Sequence, residues 1–368
     1  MLMKIINIIA KTGILLFLLA FCACQKDDVQ VKTPAARTVI AYIAGDNDLS
    51  GDASVSLDAM EQGFSEAGVN LIVFIAQTGS NPRLLEIHKG KKTPVKTYST
   101  LNTSEPAVLN EILQDAVSLY PAQEYGLILW SHGSSWMPDG SMLRSFGNDN
   151  GNRMNIPDLA NALPVRFNFI LFDACLMGAV EVAYELKDKT DYLIASSTET
   201  IAEGFPYNQV IPKLLQPKID YKTVAQTYFD YYNSQSGAYR SATVSVVETQ
   251  YLPGLANSMK QLCENNPANL QTFDRTSVQR LDVYNEQYVF DLLDFVNKIF
   301  PNANKDDFTN QLNKAVLCKY HTPQFILMYD INTYCGLSCY IPLASRSDLT
   351  TYYKTLKWYR DAGLSSLF

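Results

Sequence analysis

A histidine and a cysteine stand directly after two short apolar runs of this chain. Residues 125–130 lead through Ser131 to His132, and residues 167–172 lead through Asp173 and Ala174 to Cys175. Short apolar runs bounded by turn-forming residues predict buried strands of a parallel sheet. Because ligands bind beyond the carboxyl ends of such strands, the two side chains are expected to share one site. A base beside a thiol favours the chemistry of a cysteine hydrolase.

The neighbours of the two reactive residues sharpen this prediction. Cys175 is expected at the start of a helix over residues 176–187, whose dipole would lower the pKa of the thiol. The backbone amides of Gly133 and Cys175 are candidate donors to an oxyanion. Ser131 and Ser134 do not favour a serine hydrolase, because no Gly-x-Ser-x-Gly motif surrounds either of them. No acidic residue is assigned as a third member, so a dyad is predicted.

Strands and helices alternate along the chain that carries these residues. Strands are expected at residues 38–44, 70–76, 125–130, 167–173, 191–196 and 240–247, a hairpin at 83–98, and helices at 50–66, 107–120, 156–163, 176–187 and 225–233. This alternation predicts an α/β fold with a mostly parallel sheet covered by helices. Beyond residue 250 the pattern is helical, followed by a strand over 325–341 and a last helix around 350–361. We expect this part to form a smaller C-terminal subdomain.

The first 24 residues have the features of a targeting segment. Lys4 and Lys11 precede an apolar stretch at residues 13–21, which is short for a membrane span. The stretch runs into Cys22-Ala23-Cys24, and this arrangement resembles a bacterial lipoprotein signal with Cys24 as the lipidated residue. An ordinary secretory signal with a chance cysteine is the alternative. Residues 25–37 are then a polar tether, and the acidic residues after Cys24 resemble surface-export signals of outer-membrane lipoproteins.

Composition excludes several classes of function. Hydrophobic residues make up 47% of the 368 residues and charged residues 18%, which predicts a well-filled core. The net charge of −7 and the absence of a basic patch give no support for a nucleic-acid partner. With three histidines and no ligand-like spacing, a zinc site is not expected. Cys335 and Cys339 lie too far apart within one strand to form a disulfide, so both are expected to be buried thiols.

Four motifs in order resemble the clostripain family of cysteine peptidases. They are Tyr42-Ile-Ala-Gly-Asp-Asn-Asp-Leu49, Trp130-Ser-His-Gly-Ser-Ser-Trp136, Phe172-Asp-Ala-Cys-Leu-Met-Gly178 and Gly336-Leu-Ser-Cys-Tyr-Ile-Pro342. The resemblance covers nearly the whole chain after the signal segment. It implies a caspase-like α/β/α sandwich, with a catalytic domain over residues 38–249 and a subdomain over 250–368. It also implies a catalytic dyad of His132 and Cys175.

The resemblance further implies cleavage of polypeptides after Arg or Lys. Asp173 matches the acidic residue that the family places at the floor of the specificity pocket, and Glu199 is a candidate to line the same pocket. A carboxylate in an apolar wall gains most by pairing with a substrate cation. A structural acid that caps the next helix is the alternative for Asp173.

Activation and calcium are left open by the sequence. Many members of the family that the chain resembles are activated by cleavage in the loop between the histidine and the cysteine, and residues 137–155 offer Arg144 and Arg153 as candidate self-cleavage sites. The chemistry requires no cofactor, although some relatives need calcium, for which Asp46, Asp48 and Asp149 are weak candidate ligands. The stretch after Asp46 is no EF-hand, because its twelfth position is a leucine. A monomer is expected. The rival hypothesis is a surface lipoprotein that binds peptide or glycan without turnover.

Overall fold

The computed structural model describes residues 34–65, 68–138 and 145–367, and the chain from Pro34 onward forms one compact unit. The predicted signal segment with Cys24, most of the tether and the candidate cleavage residue Arg144 lie outside the described residues. None of the described helices is both long and apolar enough to cross a membrane. The division of the chain at residue 250 stays a prediction.

A nine-stranded sheet forms the centre of the molecule. In chain order its strands are β1 (Ala35–Gly45), β2 (Asn70–Gln77), β3 (Ser80–His88), β4 (Lys91–Thr97), β5 (Ala122–Trp130), β8 (Phe167–Asp173), β9 (Thr190–Ala195), β10 (Thr243–Glu248) and β12 (Val316–His321). Across the sheet the order is β12-β10-β9-β8-β5-β1-β2-β3-β4. The five central strands, from β9 to β2, run parallel, and antiparallel strands extend the sheet at both edges.

Six short strands form three small pairs outside the main sheet. They are β6 (Phe146–Asp149) with β7 (Asn152–Met154), β11 (Val289–Asp291) with β15 (Ser338–Tyr340), and β13 (Gln324–Phe325) with β14 (Tyr329–Asp330).

Helices cover both faces of the sheet. They are α1 (Ser50–Gly63), α2 (Pro106–Leu119), α3 (Ile156–Ala162), α4 (Val180–Leu186), α5 (Tyr207–Leu214), α6 (Tyr221–Asn233), α7 (Leu252–Asn265), α8 (Leu292–Ile299), α9 (Asp306–Ala315), α10 (Ser347–Tyr353) and α11 (Lys357–Asp361). Successive side chains of a strand point to opposite faces, so β1 sends Ile40 and Tyr42 into one apolar core and Val39 and Ala41 into the other. The helices α1, α5 and α6 enclose the second core, and the rest of the helical layer encloses the first. The predicted three-layer α/β fold with a mostly parallel sheet is confirmed.

The C-terminal part differs from the prediction in three details. Residues 325–341 do not form one strand, because Ile326 and Leu327 adopt positive φ angles of 38° and 60° and turn the chain between β13 and β14. The strand that extends the main sheet is β12, which pairs with β10. The last helix is divided into α10 and α11. At the other end, residues 35–37 of the predicted tether belong to β1.

Candidate active site

The carboxyl ends of β1, β5 and β8 lie side by side at one edge of the sheet. Trp130, at the end of β5, is in register with Asp173, at the end of β8. Ser131 fastens the three ends together, since its N–H donates to the Asp173 carbonyl at 3.3 Å and its hydroxyl donates to the Ala44 carbonyl at 2.7 Å. The prediction that the runs leading to His132 and Cys175 are strands of one parallel sheet is confirmed, and the two strands are direct neighbours.

The loop that carries Cys175 packs tightly against the loop that carries His132. A Cβ on Gly133 would lie 2.6 Å from the Cys175 carbonyl oxygen, so only glycine allows this approach. On its other side the Cys175 loop is bonded to the segment that follows β9, where the Leu176 N–H donates to the Thr198 carbonyl at 2.9 Å. Leu176 has a φ of 65° and is not helical.

A cavity of about 160 Å³ opens at this edge. Its walls include His132, Asp173 and Cys175, with Leu49 and residues 200–202 around them. It is smaller than the roughly 300–1,000 Å³ typical of whole-ligand pockets and fits a single side chain better than a complete small molecule. A larger cavity of about 450 Å³ lies between residues 237–240 and 323–332, but neither reactive residue lines it. The chemistry therefore identifies the smaller cavity as the candidate active site.

The surroundings of Cys175 favour the protonated thiol. Burial raises its pKa to about 11, and the nearby charges of Glu199 and Asp173 act in the same direction. The N–H of Thr200 opposes this shift by donating to Sγ at 3.3 Å. The expected lowering by a helix dipole was wrong, because the helix after Cys175 begins only at Val180. The dipole acts within about the first turn and so misses the sulfur.

His132 is hydrogen-bonded to Asp48, which the sequence suggested only as a weak candidate calcium ligand. Its Nε2 lies 2.8 Å from Oδ1 of Asp48, which follows β1. No hydrogen bond joins His132 to Cys175 within the described residues, although both line the same cavity. The rule that located His132 could have found Asp48, because β1 is the parallel neighbour of β5 and ends at the same edge.

Asp173 is buried, with one carboxylate oxygen occupied. Oδ2 accepts hydrogen bonds from the Phe205 N–H at 3.0 Å and from the Tyr207 hydroxyl at 2.8 Å. In the described part of the chain Oδ1 accepts none. Burial raises the pKa of this carboxyl to about 6, although the two donors act in the opposite direction. The carboxyl is therefore largely ionised at neutral pH and has an oxygen available beside the thiol.

Two backbone amides at the site are available to a ligand. Among the described residues, neither the Gly133 N–H nor the Cys175 N–H donates to another residue. The close approach of Gly133 to Cys175 holds these two amides near each other and near the sulfur.

The remaining pocket and cleavage candidates among the described residues, Glu199 and Arg153, do not line the cavity. The carboxylate of Glu199 accepts a hydrogen bond from the Val283 N–H at 3.0 Å. The cavity is lined by the next three residues, 200–202. Burial raises the pKa of Glu199 to about 7. Arg153 is half-buried within β7 and is followed by the buried Met154, so the bond after it lies inside a paired strand.

The calcium candidates are not gathered into one site. Both oxygens of Asp149 are occupied, by the N–H and hydroxyl of Thr103 and by the side chain of Asn150. Asp48 is bonded to His132. No group of three or more potential metal-ligating His, Cys, Asp or Glu side chains occurs among the residues that the structure describes. These residues do not fit a calcium cage, and no step of the chemistry is assigned to the metal.

Solved structures similar to this chain are C11 proteases. An inactive zymogen of a C11 protease from Parabacteroides distasonis is 32% identical with a TM-score of 0.80, and the match covers 90% of this chain and 99% of that one. A secreted C11 cysteine protease from Bacteroides thetaiotaomicron, in complex with an irreversible peptide inhibitor, is 32% identical with a TM-score of 0.79. That match covers 89% of this chain and 99% of the other. The caspase-like fold implied by the sequence resemblance is thereby confirmed.

Sequence comparisons identify the same family. Clostripain of Hathewaya histolytica is 25% identical over 219 residues, a match that covers 48% of this chain and 42% of clostripain. The aligned part thus spans less than half the length of that curated relative. The sequence profile of the clostripain family matches residues 41–353, which is most of the chain. The protein therefore belongs to the clostripain family of cysteine peptidases.

Proposed function

We propose that this protein is an endopeptidase that cleaves polypeptides after Arg or Lys, with Cys175 as nucleophile and His132 as acid and base. One observation carries the proposal: a cavity sized for a side chain contains the thiol, the imidazole and the buried Asp173 together. The first two groups are suited to acyl transfer, and the third to recognition of a cation.

Asp173 would select the residue before the scissile bond. Its Oδ2 is fixed by the Phe205 N–H and the Tyr207 hydroxyl, which orients the carboxylate and leaves Oδ1 for the ligand. A guanidinium or ammonium group of the substrate would donate a hydrogen bond to Oδ1. Such a charge-assisted hydrogen bond is strong in a buried site. Neutral side chains would leave the buried carboxylate uncompensated, which disfavours them.

The reaction would proceed through an acyl-enzyme. The Cys175 proton passes to His132, and the thiolate attacks the scissile carbonyl carbon. The negative oxygen that develops is held by the amides of Gly133 and Cys175. His132 then gives its proton to the leaving amine, and water hydrolyses the thioester to release the acid product and restore the thiol.

The resting chain would require activation. A thiol with a pKa of about 11 is almost entirely protonated at neutral pH, and its Sγ contacts the Thr200 backbone instead of the imidazole. We propose self-cleavage in the 137–155 loop as the activating step. The burial of Met154 and the pairing of β7 disfavour the bond after Arg153, which leaves the bond after Arg144 as the preferred site.

The cellular location follows from the N-terminal sequence. We propose a lipid anchor at Cys24 that holds a monomeric enzyme on the outer membrane, facing outward, where extracellular polypeptides are accessible. Mass spectrometry of Cys24 in membrane fractions and protease shaving of intact cells would test this location. A soluble protein with an unmodified N-terminal peptide would contradict it.

The first experiment is hydrolysis of matched fluorogenic peptides with Arg, Lys, Asp or Leu before the reporter. The enzyme without its signal segment is expected to cleave the Arg and Lys peptides, and Cys175→Ala to lose at least about 10⁴-fold in rate. Cys263→Ala, which changes a different free thiol that does not line the cavity, is the matched control and is expected to keep activity. Absence of turnover after cleavage at Arg144 would favour the binding-protein hypothesis.

A further inference from the structure

We propose that Asp48 is a positioning residue for His132, so that the catalytic unit of this chain comprises three side chains instead of two. This inference rests on the proposed peptidase function. Its geometric basis is the 2.8 Å contact between Asp48 Oδ1 and Nε2 of His132, which lines the cavity.

The chain holds Asp48 in place through the residue before it. The side-chain amide of Asn47 donates to the Asn148 carbonyl at 2.8 Å and to the Ala44 carbonyl at 3.2 Å. Its side-chain oxygen accepts from the Leu49 N–H at 2.9 Å. The turn after β1 is therefore fastened both to its own strand and to the hairpin of β6 and β7. This fixes the backbone from which Asp48 reaches the imidazole.

The contact determines which imidazole nitrogen carries the proton. A carboxylate can only accept, so Nε2 must be the donor and the proton of the neutral ring resides there. Nδ1 is then left with its lone pair, and no described residue donates to it. Of the two ring nitrogens, Nδ1 is therefore the one that can take the proton of the Cys175 thiol.

The proton inventory of the reaction is consistent with this arrangement. When the thiol proton moves to Nδ1, the imidazole becomes a cation and Cys175 becomes a thiolate. The Nε2–H stays on Asp48, whose negative charge stabilises the cation. The Nδ1–H is later transferred to the leaving amine, which returns the ring to the tautomer that Asp48 favours. Asp48 itself neither gains nor loses a proton, as in other acid–base units oriented by a carboxylate.

The charge state of Asp48 supports this role. The hydrogen bond from His132 lowers the pKa of the Asp48 carboxyl, and the charge of Arg153 acts in the same direction. Asp48 is therefore ionised at neutral pH. Its side chain is 75% exposed, so water weakens the attraction and the contribution should be smaller than that of a buried acid.

The test combines substitutions at Asp48 with removal of the imidazole. Asp48→Ala removes both acceptor and charge, whereas Asp48→Asn keeps an acceptor oxygen. Asp52→Ala is the matched control, because Asp52 is a nearby acid in the first turn of α1. Each substitution is made in the wild type and in His132→Ala, and melting temperatures verify folding.

Two readouts are measured, namely the kinetic constants on the peptide with Arg before the reporter and the rate at which iodoacetamide alkylates Cys175. For Asp48→Ala we expect kcat to fall about 10- to 100-fold with KM nearly unchanged, since misplacing a catalytic group by about 1 Å costs up to 10²-fold. Asp48→Asn should lie between Asp48→Ala and the wild type. Alkylation of Cys175 should be slower in Asp48→Ala than in the wild type. When His132 is already replaced by Ala, adding Asp48→Ala should leave the alkylation rate unchanged.

Three results would overturn the inference: an unchanged kcat in Asp48→Ala, an increased kcat, or equal slowing of alkylation with and without His132. An increased kcat would mean that Asp48 restrains the imidazole away from the thiol. If the wild type hydrolyses no peptide, the proposed function fails, but the alkylation rates still decide whether Asp48 acts through His132.

Discussion

Two buried carboxylates, Asp173 at the end of β8 and Glu181 in the following helix α4, differ in what surrounds them. Asp173 is 4% exposed and Glu181 is fully buried. Burial raises the pKa of the first to about 6 and of the second to about 7. Asp173 lines the cavity that contains the thiol, whereas Glu181 does not line it.

The partners of Glu181 belong to the C-terminal part of the chain. Its Oε1 accepts from the Tyr340 N–H and from the Tyr353 hydroxyl, each at 2.9 Å. Its Oε2 is buried and has no partner in the described residues. Glu181 therefore fastens β15 and α10 to α4. Similar burial and similar pKa shifts thus accompany two environments: Asp173 faces the cavity, where we propose that it binds a substrate cation, and Glu181 supports the core.

The largest effect is expected from Asp173→Asn, which removes the charge and keeps the shape. Hydrolysis after Arg and Lys should lose at least about 30-fold in kcat/KM, because removing one partner of a buried charge pair costs about 2–5 kcal/mol. Hydrolysis of a Leu peptide should not fall, and the melting temperature should not drop. Kinetics on the paired peptides and thermal unfolding would measure this. Equal losses on both peptides would show that Asp173 is structural, acting through its bonds to Phe205 and Tyr207.

Substitution of Glu181 should affect stability and leave chemistry unchanged. Glu181→Ala leaves two donors without an acceptor, and unsatisfied buried groups cost about 1–3 kcal/mol each, so we expect a loss of roughly 3 kcal/mol in the free energy of unfolding. Glu181→Gln keeps an acceptor oxygen and serves as the matched control, with a loss of less than about 1 kcal/mol. Urea unfolding would measure both. A large fall in kcat of folded Glu181→Gln would remove the distinction between the two carboxylates.

The open edge of the site was the part that could be predicted from sequence. Apolar strands followed by His132, Asp173 and Cys175 place these residues through the rule that parallel strands end at a common edge. The same rule places Asp48 at this edge, after β1, but it does not give the direction of an exposed side chain in a turn, so Asp48 was missed as a partner of His132.

The contacts that Glu181 makes inside the core were less predictable from the sequence. The partners of Glu181 come from residues more than 150 positions later, where a run of β-forming residues predicted one strand over 325–341. Tertiary packing overrode that local preference for a strand. The positive φ angles of Ile326 and Leu327 cannot be predicted from the periodicity of hydrophobic residues. The start of α4 at Val180 was misplaced for a similar reason, since Leu176 fits a helical pattern but has a φ of 65°.

The smallest expected effects are the pH dependence of substrate selectivity, which reports on Asp173, and the pH dependence of stability, which reports on Glu181. As pH falls through about 6, Asp173 takes up a proton and loses its attraction for a basic residue. The ratio of kcat/KM for Arg over Leu peptides should then fall by about tenfold for each further pH unit, because this ratio follows the ionised fraction of the free enzyme. Asp173→Asn should show no such decline.

Glu181 should change the free energy of unfolding over a neighbouring pH range, and its effect should have the opposite sign, since acid increases stability. Its folded pKa of about 7 lies above the ordinary value of 4.5, so between these values the folded state binds more protons than the unfolded state. By linkage, this contribution to stability is full below about 4.5, declines as pH rises and is lost above about 7. The difference in unfolding free energy between the wild type and Glu181→Gln, followed from pH 4 to 8, isolates it. Acid should therefore weaken basic-residue selectivity while it stabilises the fold, and a parallel decline of both would show that the two carboxylates are coupled.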